Sequence, residues 1–309
     1  MLTLLALLAV AQPETTSTAE TSPVAETVAE SGARPVRASL RLWGDATAEA
    51  DFDGDNGSVQ SSRAGADFEV GIPIGERSQL AIAAGTTGLF FDFGGDEGFG
   101  AGDPWDTVLE HTLGVGFSTR ANEKWSYGGR AFVRSSGERG ADFSDTMMFG
   151  VGGGFEYTFS EKFSAGPGFL VMSQLEDDVL VLPLVTFSWK ISERWSAGTR
   201  VGTGSGLGAG GGVQYQATDS LAVFGGVGYQ SHRFRLDEDG ATPDGVGEVT
   251  GVPVTLGFTW TASPQVSLSA RGGWMFAQEY TLDDEDGDEL REIDADSAPF
   301  LGATLHFSF

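Results

Sequence analysis

The sequence predicts an all-β chain, closed into an antiparallel membrane-spanning barrel of about fourteen strands. Three observations predict it. Runs of roughly ten residues alternate apolar with small or polar side chains; very short joints between runs alternate with mostly longer, acidic ones; and forty-six glycines accompany twenty-two phenylalanines. Glycine-rich aromatic composition suits neither helices nor a disordered chain, and it fits tightly curved sheet.

Composition removes several function classes. The chain has no cysteine, so thiolate metal sites and cysteine nucleophiles are unavailable, and His111, His232 and His306 stand in no metal-ligand spacing. A formal charge of -26 argues against nucleic-acid partners, which need clustered Lys and Arg. No constellation of nucleophile and base is evident, so the expectation is that the protein is not an enzyme and needs no cofactor. "GLGAGG" has Gly206, Gly208 and Gly211 at dinucleotide-fingerprint spacing, but neither the leading strand nor the following helix of that motif is present.

The chain opens on "MLTLLALLAVAQ", an apolar stretch ending in the small-x-small site Ala9-Val10-Ala11. Residues 1–11 therefore read as a signal peptide, although no basic n-region precedes them. Residues 12–35, rich in Thr, Ala, Glu, Ser and Pro, cannot bury enough surface to order themselves and read as a disordered tether. Residues 36–309 read as one barrel.

Within the barrel, "GVPVTLGFTWTAS" sets Val252, Val254, Leu256, Phe258 and Trp260 on one face, and "PQVSLSARGGWMFAQEY" repeats the pattern with Val266, Leu268, Ala270, Trp274 and Phe276. The other face is mostly Gly, Ser, Thr and Ala, without the dense charge of a surface that meets water. Apolar groups facing lipid and small groups facing a lumen explain this better than a soluble sandwich. Six short joints, among them "RANEK", "SEK" and "SER", and seven loops give fourteen strands with both termini on the short-turn side. "GGGVQYQA" is a weak strand, and without its hairpin the number falls to twelve. Trp125, Tyr127, Phe163, Trp195, Phe307 and Phe309 all lie beside short turns, as an aromatic girdle would.

The final "ATLHFSF" alternates apolar residues back from a terminal aromatic. In this it resembles the C-terminal signal that the barrel assembly machinery recognises, with Leu305, Phe307 and Phe309 as its apolar positions. The segment from 36 to 309 resembles a bacterial outer-membrane β-barrel, and "AVFGGVGYQSHRFRLDEDG" followed by "GVPVTLGFTW" is similar to an uncharacterised family of predicted outer-membrane proteins. The resemblance implies outer-membrane lipid and the assembly machinery as partners, and a tether in the periplasm.

If the apolar face points outward, the lumen-lining candidates are Arg41, Asp45, Arg63, Asp67, Glu69, Glu110, Arg130, Arg134, Glu156, Arg200 and Arg271. The same phase also turns Glu49 inward. Facing rows of Arg and carboxylate would make either a selectivity lining or a set of ion pairs closing a narrow lumen. The acidic loop "DFDGDNGS" departs from calcium-loop ligand order, and "DDEDGDELREIDADS" reads as a solvated acidic loop with at most loosely bound divalent cations. A passive or weakly selective channel for small solutes is the first functional expectation. Two others stay open: a closed barrel with a structural or surface-interaction role through its acidic extracellular loops, and transport of lipid or hydrophobic compounds.

Overall fold

The computed structural model describes residues 34–309 apart from 55, 96–97, 102 and 203–206, and apart from the side chains of 200–202 and 207–208. The expected signal peptide and nearly all of the tether lie outside the described residues. The strands are β1 (Arg37–Asp51), β2 (Ser58–Ile74), β3 (Ser78–Gly94), β4 (Thr107–Arg120) and β5 (Trp125–Glu138). Then follow β6 (Met147–Ser160), β7 (Phe163–Gln174), β8 (Asp177–Lys190), β9 (Trp195–Gly202) and β10 (Leu207–Gln216). The last are β11 (Leu221–Arg235), β12 (Val246–Ser263), β13 (Val266–Asp283), β14 (Glu289–Ala295) and β15 (Ala298–Ser308).

From β1 to β13 each strand pairs with its sequence neighbours, β14 pairs with β13 alone, and β15 pairs with both β13 and β1, which closes a ring of fourteen. The weak run is a full strand, since β10 pairs with both β9 and β11, so fourteen rather than twelve is the count. Closure is completed at the termini. Phe309 donates its N–H to Ala38 at 2.8 Å and accepts from Ala38 at 3.2 Å. Beside them Arg34 donates to the carbonyls of Gly75 and Ser78 in the β2–β3 turn, at 3.1 and 2.6 Å.

The short turns share a local cause. Asn122, Ser192 and Thr218 each accept, through the side chain, the N–H groups two and three residues on, which reverses the chain without a strand partner. The opposite rim is more elaborate than the sequence suggests. A 3-10 turn spans Phe143–Thr146. The acidic loop after β13 is a hairpin: β14 pairs with β13, and Asp294 and Asp296 bond the backbone of Asp53 and Asp51 near the end of β1. Thus β14 continues the wall beyond β15.

Large apolar side chains cover the outside, with Leu256 70% and Leu301 74% exposed. Phe258 and Leu268 belong to this outer face and share no buried interior. Such a surface is stable only against hydrocarbon. At the short-turn rim the rings touch one another, with Trp125 and Tyr157, and Trp195 and Tyr215, 4.8 Å apart at their centroids.

Two irregularities mark the wall. A bulge between Thr47 and Ala50 inserts one residue into β1 and reverses its phase. Ala50 and Phe52 therefore turn inward, and Glu49, expected to face the lumen, is exposed and accepts from Ser58 Oγ at 2.7 Å. The second is the β8–β9 ladder. Among the described residues it holds the pairs Ser188↔Gly198, Trp189↔Ala197 and Lys190↔Ser196, beside the short turn.

Candidate functional site in the barrel lumen

Strand β3 shows how the lumen is built. Ile82, Ala84, Phe90 and Asp92 are exposed, whereas Ala81, Ala83 and Gly85 turn inward in the half nearer the short turns. Further up, the same inward face carries Leu89, Phe91 and Phe93, all buried. β4 agrees, with Gly114 and Gly116 below and Glu110 and Val108 above. The lower lumen is thus lined with small groups. Its charges are sparse and mostly paired: Asp67 accepts from Arg41 Nε at 3.1 Å and Trp43 Nε1 at 3.0 Å. Arg130 on β5 is in electrostatic reach of Glu69 on β2. Glu156 is half-buried on β6 between exposed Phe155 and half-buried Tyr157, and the side chain of Arg200 lies outside those described.

At mid-height a chain of polar contacts crosses the lumen. Asp45 accepts from Arg271 Nη2 at 2.7 Å and from Arg63 Nε at 2.8 Å. Arg271 reaches it across β15 at Gly302, where an added Cβ would stand 2.8 Å from the Asp45 Cβ and 3.2 Å from Arg271 Nε. Arg63 Nη1 continues to Gln230 and to His232 Nε2, both at 3.1 Å. His232 Nδ1 lies 3.2 Å from Glu110, which also takes Ser136 Oγ at 3.2 Å and forms an ion pair with Arg134. Guanidinium can only donate, so His232 Nε2 accepts and its proton sits on Nδ1, aimed at Glu110. The bonding partners thereby assign a neutral imidazole.

This crossing closes the barrel. β4 and β11 stand seven strands apart in the ring of fourteen, so the Glu110–His232 contact joins opposite walls. Three residues further along β11 the backbones themselves meet, with Arg235 parallel to Gly137 of β5. Upper β11 is anchored on both sides. Arg233 donates to Leu175 O at 2.8 Å, Glu248 at 3.0 Å and Asp283 at 2.8 Å. Arg235 donates to Asp244 O at 2.5 Å and pairs with Glu176.

On each side of this partition the upper lumen is packed. One lobe holds Phe52, Phe91, Phe93, Phe99, Trp105, Phe234 and Tyr280, with edge-on contacts such as Phe93–Trp105 at 5.4 Å and Trp105–Phe234 at 5.3 Å. Each such pair adds about 0.5–1.5 kcal/mol beyond the area it buries. The other lobe is mostly aliphatic: Met148, Leu170, Met172, Leu175, Leu184 and Val246, with Phe132 as its one ring. Between rings and ion chain a cavity of about 20 Å³, bordered by Arg63, Gln230 and His232, has room for a single water. Outside the closure lies an open vestibule of about 760 Å³, floored by Arg235 and walled by Asp145, Glu176, Asp244 and Asp286.

Sequence reasoning placed Asp45, Arg63, Glu110, Arg134 and Arg271 together only as one phase of many strands, and it missed His232 and the aromatic lobe. The signal was there in "LFFDF" and "HRFRL", where consecutive apolar or alternating basic residues break the outward-only pattern. Among the described residues no group of three or more His, Asp and Glu is placed to hold a metal ion.

No protein-family model matches the chain, and no curated protein does. Solved structures do. An outer-membrane channel from Pseudomonas putida F1 is 13% identical, covering 94% of this chain and 100% of its own, with a TM-score of 0.49. A Pseudomonas aeruginosa FadL homologue is 12% identical over 88% of this chain and 89% of its own, with a TM-score of 0.50. The P. putida toluene transporter TodX is 11% identical over 88% and 89%, with a TM-score of 0.40. At such identities only architecture is shared: the chain has the fold of a bacterial outer-membrane β-barrel.

Proposed function

We propose that the protein is an outer-membrane channel for small solutes, closed at its extracellular half by the upper part of β11. The observation that carries this reading is the change of lining along single strands, from Ala81, Ala83 and Gly85 to Leu89, Phe91 and Phe93, with the Glu110–His232 contact at the boundary. A path lined with small groups and charge ends at a movable barrier. Arg41, Asp67, Glu69, Arg130 and Glu156 then line the periplasmic part, and Asp45, Arg63, Glu110, Arg134 and Arg271 hold the barrier. Leu305, Phe307 and Phe309 serve assembly, the tether hangs in the periplasm, and the acidic loops attract divalent cations only loosely.

Planar-bilayer recording tests the reading. Wild-type protein should give rare, small conductance steps, and a Glu110→Gln, His232→Ala double variant should open more often and at least several-fold wider. Folded protein that stays silent in both forms rejects the channel. That outcome would favour the second reading, a closed barrel acting through its acidic loops, which the pairing of the Arg residues with carboxylates supports.

A further inference from the structure

We infer that the lower lumen binds a neutral sugar, with one face of its ring on the indole of Trp43, and that this is the solute class of the channel. The second half of the inference rests on the channel reading. Trp43 lies on the inward face of β1, directly opposite Gly65 of β2. The indole leans over that glycine: an added Cβ at Gly65 would stand 2.7 Å from Trp43 Cε2 and Cζ2. Its Nε1 donates to Asp67 Oδ2 at 3.0 Å, and the same oxygen accepts from Arg41 Nε at 3.1 Å. Asp67 in turn leans over Gly85 of β3, where an added Cβ would meet its Oδ1 at 2.7 Å. Two glycines thus let the three side chains lie along the wall instead of projecting across the lumen. The ring is fixed at its edge before a solute arrives, which lowers the cost of ordering it on binding.

The surroundings select among solutes. Away from Asp67, the row of paired residues runs from Trp43 to Thr304, Ser269 and Thr259 on β15, β13 and β12. All three are half-buried, and Thr259 and Ser269 share a hydroxyl contact at 2.8 Å. On the other side the Arg41 side chain is 43% exposed and that of Asp67 19%. An aromatic face is therefore flanked by hydroxyls and by a donor and acceptor of no net charge. Aromatic surface with a few placed polar groups is the usual build of a small-molecule site.

The electron-rich face of an indole attracts slightly positive C–H groups, and these are what one side of a pyranose ring presents. Sugar hydroxyls both donate and accept, as Asp67, Arg41 and the Ser and Thr row require. An ion finds attraction offset by repulsion, with Arg41 beside Asp67 and Arg130 in electrostatic reach of Glu69. An apolar solute would strip water from these groups and return no hydrogen bond. Trp125, Trp189, Trp195, Trp260 and Trp274 lie on the outer face and Trp105 in the packed lobe. Among the described residues, Trp43 is thus the one indole that the lower lumen can use.

Saturation-transfer NMR on the full-length protein in detergent micelles tests the site with maltotriose. Binding of millimolar affinity is expected, with stronger saturation of the C–H protons on one ring face than on the other. Trp43→Leu keeps apolar bulk over Gly65 without an aromatic face and should weaken binding about tenfold, whereas Trp43→Phe should weaken it much less. Sorbitol, with hydroxyls but no ring, and phenol, an aromatic ring without the sugar's hydroxyls, should not displace maltotriose at equal concentration. Absence of binding, displacement by either competitor, or affinity unchanged by Trp43→Leu overturns the proposal. If Trp43→Leu does not fold, the wild type decides, since equal saturation of both faces rejects stacking. In planar bilayers maltotriose should interrupt the current of the Glu110→Gln, His232→Ala variant. Binding with silent bilayers would keep the site and remove the channel reading, whereas current that maltotriose leaves uninterrupted would reject the sugar as solute and keep the channel.

Discussion

The two ends of β3 teach different lessons although they share one strand and one phase. In the half nearer the short turns, alternation is honest: Ile82 meets lipid and Ala83 the lumen. In the half nearer the long loops Phe90 and Phe91 are both aromatic, one exposed and one buried. A barrel wall needs apolar groups on one face only. A second apolar face signals that the interior is dry at that height, and the aromatic lobe is what dries it.

The largest way to break this contrast is to remove the acceptor between the halves. Glu110→Ala leaves Arg134, 3% exposed, without its buried carboxylate and His232 without its acceptor. It should cost about 3–5 kcal/mol in reversible unfolding from liposomes. A smaller effect sharpens the sidedness of the lower half. Ile82→Arg should cost about 2–4 kcal/mol, as lipid-facing charge does near the bilayer midplane. Ala83→Arg, one residue on and facing the lumen, should cost much less in the same titration. Equal costs would deny that the two faces meet different surroundings.

The smallest expected effect lies above the membrane. Asp142 accepts from Ser144 N and Oγ, both at 2.8 Å, and these bonds hold its carboxyl below the usual carboxylate range. A carboxyl depressed by folding contributes stability that is complete above its unfolded pKa, near 3.8, and fades as pH falls further. Protection of the 3-10 turn amides, measured against intrinsic exchange at each pH, should therefore fall on acidification below about pH 4. Asp142→Ala should remove that dependence and leave the barrel intact.

The strand count, closure and lipid-facing residues were legible in the sequence because each follows from a period of two and from turn residues. Arg63 and Glu110 could be assigned to the inward phase for the same reason. What escaped was anything that links distant strands. The bulge between Thr47 and Ala50 reverses parity, so Glu49 faces out. Val246 and Met148 belong to one buried cluster in the upper barrel, and His232 reaches Glu110 across its whole width. No local pattern encodes those distances. The acidic run read as a solvated loop contains β14, whose "LREID" alternates too briefly to stand out from its charge.

The meeting of Phe309 with Ala38 bears on how this wall could be cut. Because the two ends of the barrel abut at one rim, a short linker there and a new opening in another short turn, such as that at Glu161 and Lys162, would yield a circular permutant with every ladder kept. Its equilibrium stability should barely change, while the terminal aromatic would now sit mid-chain. Comparing refolding in detergent with delivery in living cells would then separate what the closed ring needs from what the cell reads at its tail.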